Sequence, residues 1–418
     1  MRFLFVTWEG GGNVPPTLSI ARRLARRGHL VRILAPYSLR DAVEAAACSF
    51  APYRRVVDGT PAAAGTGGPG RLRASLLVPE LARSAPSLAF AQDVLAELAQ
   101  THAEALVVDF MLAGAIAAGE RAGLPTAALM HTVYCLPAPG APPFGPAWKE
   151  CSSPPTALRD AAMSALARAA TRRRLGELNA ARRALGLGPV PSPDAQLARL
   201  ARLLVLTSEA FDPPPHPLPP NVRYVGPQLD ASGGEELDLP WPDDDLRPLV
   251  VVSFSSRFAA PGVVQRVLDA LALLPVRTLL TLGRVLAPHE LRLPAGVAMR
   301  RFVPHTALLP HAQIVVTHGG LGTVMASLTH GVPLLCIPLK NDQFENAARV
   351  VAAGAGLRLS RRASRRSLRH AAIELQSEPR YTAGAHRVAE AIAACDRDLA
   401  IHELEALVPV RPLLSASG

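Results

Sequence analysis

Apolar residues fall in short β-branched runs, separated by longer segments in which they return every three or four positions, as when buried strands alternate with amphipathic helices. Residues 3–7 read as a first strand, 18–27 as its helix, and 28–34 as a turn and second strand, so the chain opens as a βαβ unit. Further short strands are expected at 106–108, 126–130 and 203–206, with Ala- and Leu-rich helical segments between them. A second series follows at 249–254, 278–282, 298–302, 314–317 and 333–337. Strands alternating with helices imply parallel sheets, and two such series imply two α/β domains. The stretch 213–245 holds a proline cluster, Gly233-Gly234 and the acid run Asp243-Asp244-Asp245, and reads as an interdomain linker. The expected division is 1–212, a linker at 213–245, 246–385, and a C-terminal helical segment at 386–418.

A chain of 418 residues, 49% apolar, exceeds one ordinary core, which agrees with two domains. The net charge of +10 is almost all arginine, since Lys149 and Lys340 are the only lysines. Arginines in 21–27 and 170–174 lie on helical patterns that a solvated face explains, so no nucleic-acid partner is expected. A modest attraction for small anionic ligands remains. Cys48, Cys135, Cys151, Cys336 and Cys395 are odd in number and scattered, without metal or redox spacing, and read as reduced cytoplasmic thiols. The apolar start at 1–6 is too short for a signal peptide, and no later run approaches the roughly 20 apolar residues of a membrane span. A soluble protein without stable membrane insertion is expected.

The most informative segment is 302–350. Ile314 to Thr317 is a β-branched strand, His318-Gly319-Gly320 a turn, and 323–330 a helix whose first turn opens after Gly319, Gly320 and Gly322. Glycines let backbone amides approach a ligand, and a helix N-terminus carries about half a positive charge, so a diphosphate is the natural guest. His318 can add a hydrogen bond, or charge if protonated, and the Thr323 hydroxyl another donor. The next strand, 333–337, leads to Asp342 and Gln343 at the same sheet edge, where open α/β sheets bind ligands. An Asp and a Gln suit a ring bearing vicinal hydroxyls, and Asp342 is equally suited to cap the helix that follows.

Val303-Pro304-His305, His318-Gly319-Gly320, Gly322-Thr323 and Asp342-Gln343 followed by Asn346-Ala347 resemble the donor-site signature of the GT-B nucleotide-sugar glycosyltransferases. More narrowly, the chain resembles the bacterial branch that attaches activated sugars to antibiotics and other natural products. Leu178-Asn179, Leu185-Gly186-Leu187, the run from Asn221 to Pro227, and Val252-Ser253-Phe254-Ser255-Ser256 extend the likeness over nearly the whole chain. The resemblance implies two Rossmann-like domains facing a cleft, with the C-terminal helix crossing back to the N-terminal domain. It implies inverting, metal-independent transfer of a sugar, of deoxyhexose type, from a TDP- or UDP-sugar to a small hydrophobic acceptor. The sugar nucleotide is then a co-substrate, no cofactor or metal is expected, and a homodimer is left open. Ser253, Ser255 and Ser256 would approach the phosphates, while Phe302 would stack on the base and Val303 present its backbone to it. Two loops rich in Gly, Ala and Pro, 58–70 and 137–155, are candidates to face the acceptor.

Family members usually carry a histidine base in the turn after the first strand. This chain has Gly10-Gly11-Gly12-Asn13-Val14, with Asn13 at the expected base and Gly12, Asn13 and Val14 beside the acceptor. An amide cannot accept a proton at neutral pH, and a general base is worth ~10² to 10⁴ in rate. Asp109 matches the acid that orients the family histidine, and could take the proton itself or cap the following helix. His131, at the end of 126–130, and Glu9, in the first turn, are further candidates. Asn13 also motivates an alternative, a non-catalytic homologue that binds sugar nucleotide or aglycone, and a nucleotide-sugar isomerase would share the fold and the phosphate site. A nicotinamide dehydrogenase is disfavoured, because the first turn lacks G-x-G-x-x-G spacing and the second strand ends in Ala35-Pro36 without an acid.

Overall fold

The computed structural model describes residues 1–56, 88–138, 144, 145, 147, 154–229, 239–242, 244–254, 260–283, 286–340 and 342–408. Strands β1 (Arg2–Val6), β2 (Leu30–Ala35), β3 (Ser49–Pro52), β4 (Ala105–Asp109), β5 (Thr126–Met130), β6 (Arg202–Val205) and β7 (Val222–Tyr224) form one parallel sheet. Its order is β3-β2-β1-β4-β5-β6-β7. Strands β8 (Leu249–Ser253), β9 (Arg277–Thr281), β10 (Val297–Arg300), β11 (Ile314–Thr317), β12 (Leu334–Cys336) and β13 (Gly356–Arg358) form the second, ordered β10-β9-β8-β11-β12-β13. Strands β4, β5, β8 and β11 are buried along their whole length, because helices cover both faces. That is why they read as continuous apolar runs.

The strand order reverses between β1 and β4 in the first sheet and between β8 and β11 in the second. Such switch points open a crevice at the carboxyl ends of the strands. Asn13 and Asp109 follow or end the first pair, and Ser253 and His318 end or follow the second. The expected architecture of two parallel α/β domains is therefore present.

Two boundaries shift from their expected places. The stretch 213–245 is not linker throughout, because Val222–Tyr224 pairs with β6 and completes the first sheet. The crossing to the second sheet falls after Tyr224. At the other end, helix Pro379–Ala394 stays on the second domain, with Ala385, Val388 and Ile392 in the core around β11 and β12. Among the described residues of the C-terminal segment, helix Leu399–Glu405 is the one that lies on the first domain, where Ala400, Ile401 and Leu404 join Phe3, Ile20 and Leu24. Arg23 pairs with Asp398, Arg27 with Glu405 at 2.8 Å, and Glu403 with both Arg202 and Arg223. Asp396 pairs with His402 at 3.2 Å, and Asp245 of the acid run with Arg247 at 2.6 Å. Loop 58–70 and Asp243 lie outside the described residues, as does most of 137–155.

Candidate active site

At the first switch point the chain leaves β1 through Trp8 and Gly10, and helix Val14–Arg26 starts directly after Asn13. Asn13 is buried, and its Nδ2 donates to Asp109 Oδ2 at 2.8 Å, to the Trp8 carbonyl at 2.9 Å and to Thr7 Oγ1 at 3.3 Å. Gly10 is required here, since a Cβ at that position would lie 2.4 Å from Asn13 Oδ1. Asn13 Oδ1 is buried with no hydrogen-bond partner among the described residues. The amide therefore braces the turn and the carboxylate.

Asp109 is only 2% exposed. Its Oδ2 also accepts from Trp8 Nε1 at 2.9 Å, and its Oδ1 from the Met111 amide at 2.9 Å. Burial pushes its carboxyl above the ordinary range, opposed by His131, the Met111 amide, Asn13 and Trp8. The following helix begins at Ala113, so Asp109 holds the turn ahead of that helix. His131 stands two residues beyond Leu129, the register partner of Asp109 across β4 and β5. Its Nδ1 lies 3.5 Å from Asp109 Oδ2, and Phe110 packs edge-on against the ring with centroids 5.3 Å apart. The His131 side chain is 17% exposed, and no described residue bonds Nε2. Asp109 lies beneath, with three donors on it, and His131 is the group of the pair that reaches solvent.

Glu9 is half-buried, and its Oε2 accepts from Ser38 at 2.5 Å. Gly12 is exposed, while Val14 packs against the core beneath its helix.

At the second switch point, helix Leu321–Thr329 begins two residues earlier than its periodicity suggests, with Gly320 before its first turn. Gly319 takes φ +85°, a conformation suited to glycine, and a Cβ there would press on the Gln343 carbonyl. Gly320 underlies the imidazole, since a Cβ would stand 2.7 Å from His318 Nε2. His318 Nδ1 lies 3.3 Å from Thr317 Oγ1, and the ring stacks on Phe254 with centroids 6.2 Å apart. Burial drives the imidazole down to about 4, with a backbone hydrogen bond at Ser253 opposing it. His318 is accordingly neutral at pH 7, so it offers a hydrogen bond and not the charge that protonation would bring. Thr323 is half-buried in the first turn and Gly322 is open to solvent.

Asp342 stands before helix Gln343–Ala352 but makes no side-chain cap; its Oδ2 accepts from Asn346 at 3.0 Å. Asn346 Nδ2 also donates to the Gly319 carbonyl at 2.9 Å, so one buried amide ties the glycine turn to Asp342. That role was not legible from spacing. Gln343 Oε1 accepts the Leu339 and Lys340 amides at 2.9 Å each, which fixes the loop after β12 and leaves Nε2 as its donor. Phe302, just past β10, is 77% exposed, and Val303 is half-buried against the core. Ser253 is buried at the end of β8, while Ser255 and Ser256 lie outside the described residues.

The two sheet edges meet. Glu345, in the helix after β12, accepts the amides of Gly145 and Ala147 from the first domain at 2.8 Å each. Arg349 Nε donates to Asp212 Oδ1 at 2.5 Å, and Val133 enters the core of the second domain. Among the described residues, no helix is long and apolar enough to cross a membrane, and no group of at least three His, Cys, Asp or Glu residues could hold a metal.

Two parallel α/β domains, with a glycine-rich turn at the switch point of the second, give the two-domain architecture of the GT-B fold. Residues 265–405 match the family described as erythromycin biosynthesis protein CIII-like, C-terminal domain. The chain is 31% identical to 4'-demethylrebeccamycin synthase of Lentzea aerocolonigenes over 97% of its own length and 99% of that protein. A shorter stretch, 26% of this chain and 24% of the relative, is 38% identical to demethyllactenocin mycarosyltransferase of Streptomyces fradiae. The same fold is found in the kitacinnamycin glycotransferase, at TM-score 0.76 and 21% identity over 98% of this chain and 99% of that one. It is found too in VinC, solved with dTDP, at TM-score 0.69 and 18% identity over 98% and 99%. The chain belongs to the GT-B glycosyltransferases of bacterial natural-product biosynthesis, and it is a glycosyltransferase.

Proposed function

We propose that this enzyme transfers a sugar, of deoxyhexose type, from a TDP- or UDP-sugar to a small apolar natural-product acceptor with inversion at the anomeric carbon. A thymidine donor is supported by the dTDP bound to a protein of the same fold. The observation that carries the reading is the bonding of Glu345 to Gly145 and Ala147, which brings the edge bearing Asp109 and His131 to the edge bearing Gln343.

The diphosphate lies at the Gly319-Gly320 turn, held by backbone amides, the helix N-terminus, Thr323 and neutral His318. Asp342 and Gln343 Nε2 take sugar hydroxyls, and Phe302 offers its exposed ring to the base. His131 is the general base, with Asp109 fixing its tautomer through Nδ1 and Asn13 bracing Asp109. The acceptor atom attacks C1 opposite the diphosphate, its proton passes to His131 Nε2, and the C1–O electron pair leaves with the nucleotide. Charge on the leaving diphosphate is met by the helix N-terminus, so no metal enters the step. A cytoplasmic location goes with this reading.

Incubation with TDP- and UDP-sugars and a panel of polyketide and phenolic acceptors should give a product heavier by one sugar. His131→Gln should slow that reaction by about 10² or more and leave TDP affinity intact. A donor consumed or isomerised without acceptor would favour the isomerase, and TDP binding without any turnover the non-catalytic homologue.

A further inference from the structure

Glu345 lies in the first turn of helix Gln343–Ala352, and it is buried. Its Oε1 accepts the backbone amides of Gly145 and Ala147, and its Oε2 accepts from Arg349 Nη1 at 3.0 Å. Those amides belong to the other domain, 200 and 198 residues away in sequence. Ala147 takes φ +55°, a left-handed conformation that costs about 1 kcal/mol for a residue with a Cβ. Phe144, just before Gly145, packs against the cores of both domains.

The chain of bonds goes further. Arg349 reaches Asp212, whose Oδ2 accepts the Tyr134 amide at 2.6 Å and the Tyr224 hydroxyl at 3.3 Å. Tyr134 is three residues beyond His131. A largely buried ion pair of this kind is often no more stabilising than apolar residues of the same volume, so its place argues for fixed geometry before stability. It runs from the helix that carries Gln343 to the segment that carries His131.

We propose that Glu345 is a positioning residue for the acceptor. It carries the placement of the donor-side helix across to Phe144, Gly145 and Ala147, which would border the acceptor, and through Arg349 and Asp212 to the segment beginning at His131. The acceptor role rests on the glycosyl-transfer reading, whereas the anchoring of the amides does not. Donor and acceptor binding are then linked, each raising affinity for the other by the same factor.

Hydrogen exchange in the ligand-free protein tests the anchor. Glu345→Ala should speed exchange at Gly145 and Ala147 by about tenfold or more, and Glu345→Gln, which keeps an accepting Oε1, by much less. Equal exchange in all three proteins overturns the proposal, whether or not any sugar is transferred. Kinetics then tests the role: Glu345→Ala should raise the acceptor KM by about tenfold, with TDP affinity of the acceptor-free enzyme changed by less than about threefold. Glu345→Gln should restore most of the acceptor KM. An unmoved acceptor KM, or a parallel loss of TDP affinity, overturns the positioning role. If wild type transfers no sugar, the enzymatic reading fails and the acceptor role with it, and the exchange data still decide whether Glu345 anchors the loop.

Discussion

Asn13 donates to Asp109 through Nδ2 at 2.8 Å, on the carboxylate oxygen that His131 Nδ1 approaches at 3.5 Å. An amide thus stands where a base is expected and holds the acid that the imidazole after the adjacent strand approaches. Under the proposed mechanism, proton transfer moves to His131 and the carboxylate beside it is kept.

Replacing Asp109 with Asn removes the charge that orients His131 and places a second amide against Asn13. Turnover should fall at least about tenfold, with nucleotide affinity unchanged by calorimetry. Unaltered turnover in the folded variant would sink the assignment of Asp109.

Gly320→Ala would push a Cβ to 2.7 Å from His318 Nε2, in a ring already held by Phe254 and Thr317. The imidazole must tilt out of the phosphate turn, so TDP should bind about tenfold or more weakly, at an overpacking cost of about 1–3 kcal/mol in stability. Gly322→Ala, with open space around the new Cβ, is the control and should bind TDP as wild type does.

His318 gives a pH signature. Burial lowers its imidazole from 6.5 to about 4, so between those values the unfolded chain binds the proton that the folded one refuses. Its contribution to stability is present above about 6.5 and is lost as pH falls toward about 4. His305 and His330 are lowered as well and act in the same direction, whereas the raised carboxyls of Asp109 and Asp212 act in the opposite one. Denaturant midpoints across this window should therefore fall less steeply with acid in His318→Gln than in wild type. Identical slopes would count against the buried, neutral imidazole.

Under the proposed mechanism activity should persist in excess chelator, since backbone amides and a helix N-terminus would meet the leaving diphosphate. Loss of turnover restored by manganese would overturn this account of the donor site.

Much of the site was legible because it rests on local pattern. The run Ile314–Thr317 and the glycines after it determine a strand, a turn and a helix within a dozen residues. Strands β3, β7 and β13 are not legible in the sequence, since three or four residues with Pro, Tyr or Arg among them carry no usable period. The meeting of Asp109 with His131 follows from adjacent parallel strands once β4 and β5 are known to pair. No spacing reveals that Gln343 Oε1 is consumed by its own loop, or that Glu345 serves amides 200 residues away. Those are facts of tertiary contact.

The seating of helix Leu399–Glu405 on the first domain bears on recombination between related enzymes. A chimaera that exchanges donor halves by a single crossover after Tyr224 would bring a foreign final helix onto Arg23, Arg27, Arg202 and Arg223. The exchangeable unit is an internal cassette that ends after Ala394, and residues 395–408 should be inherited from the parent that supplies the N-terminus.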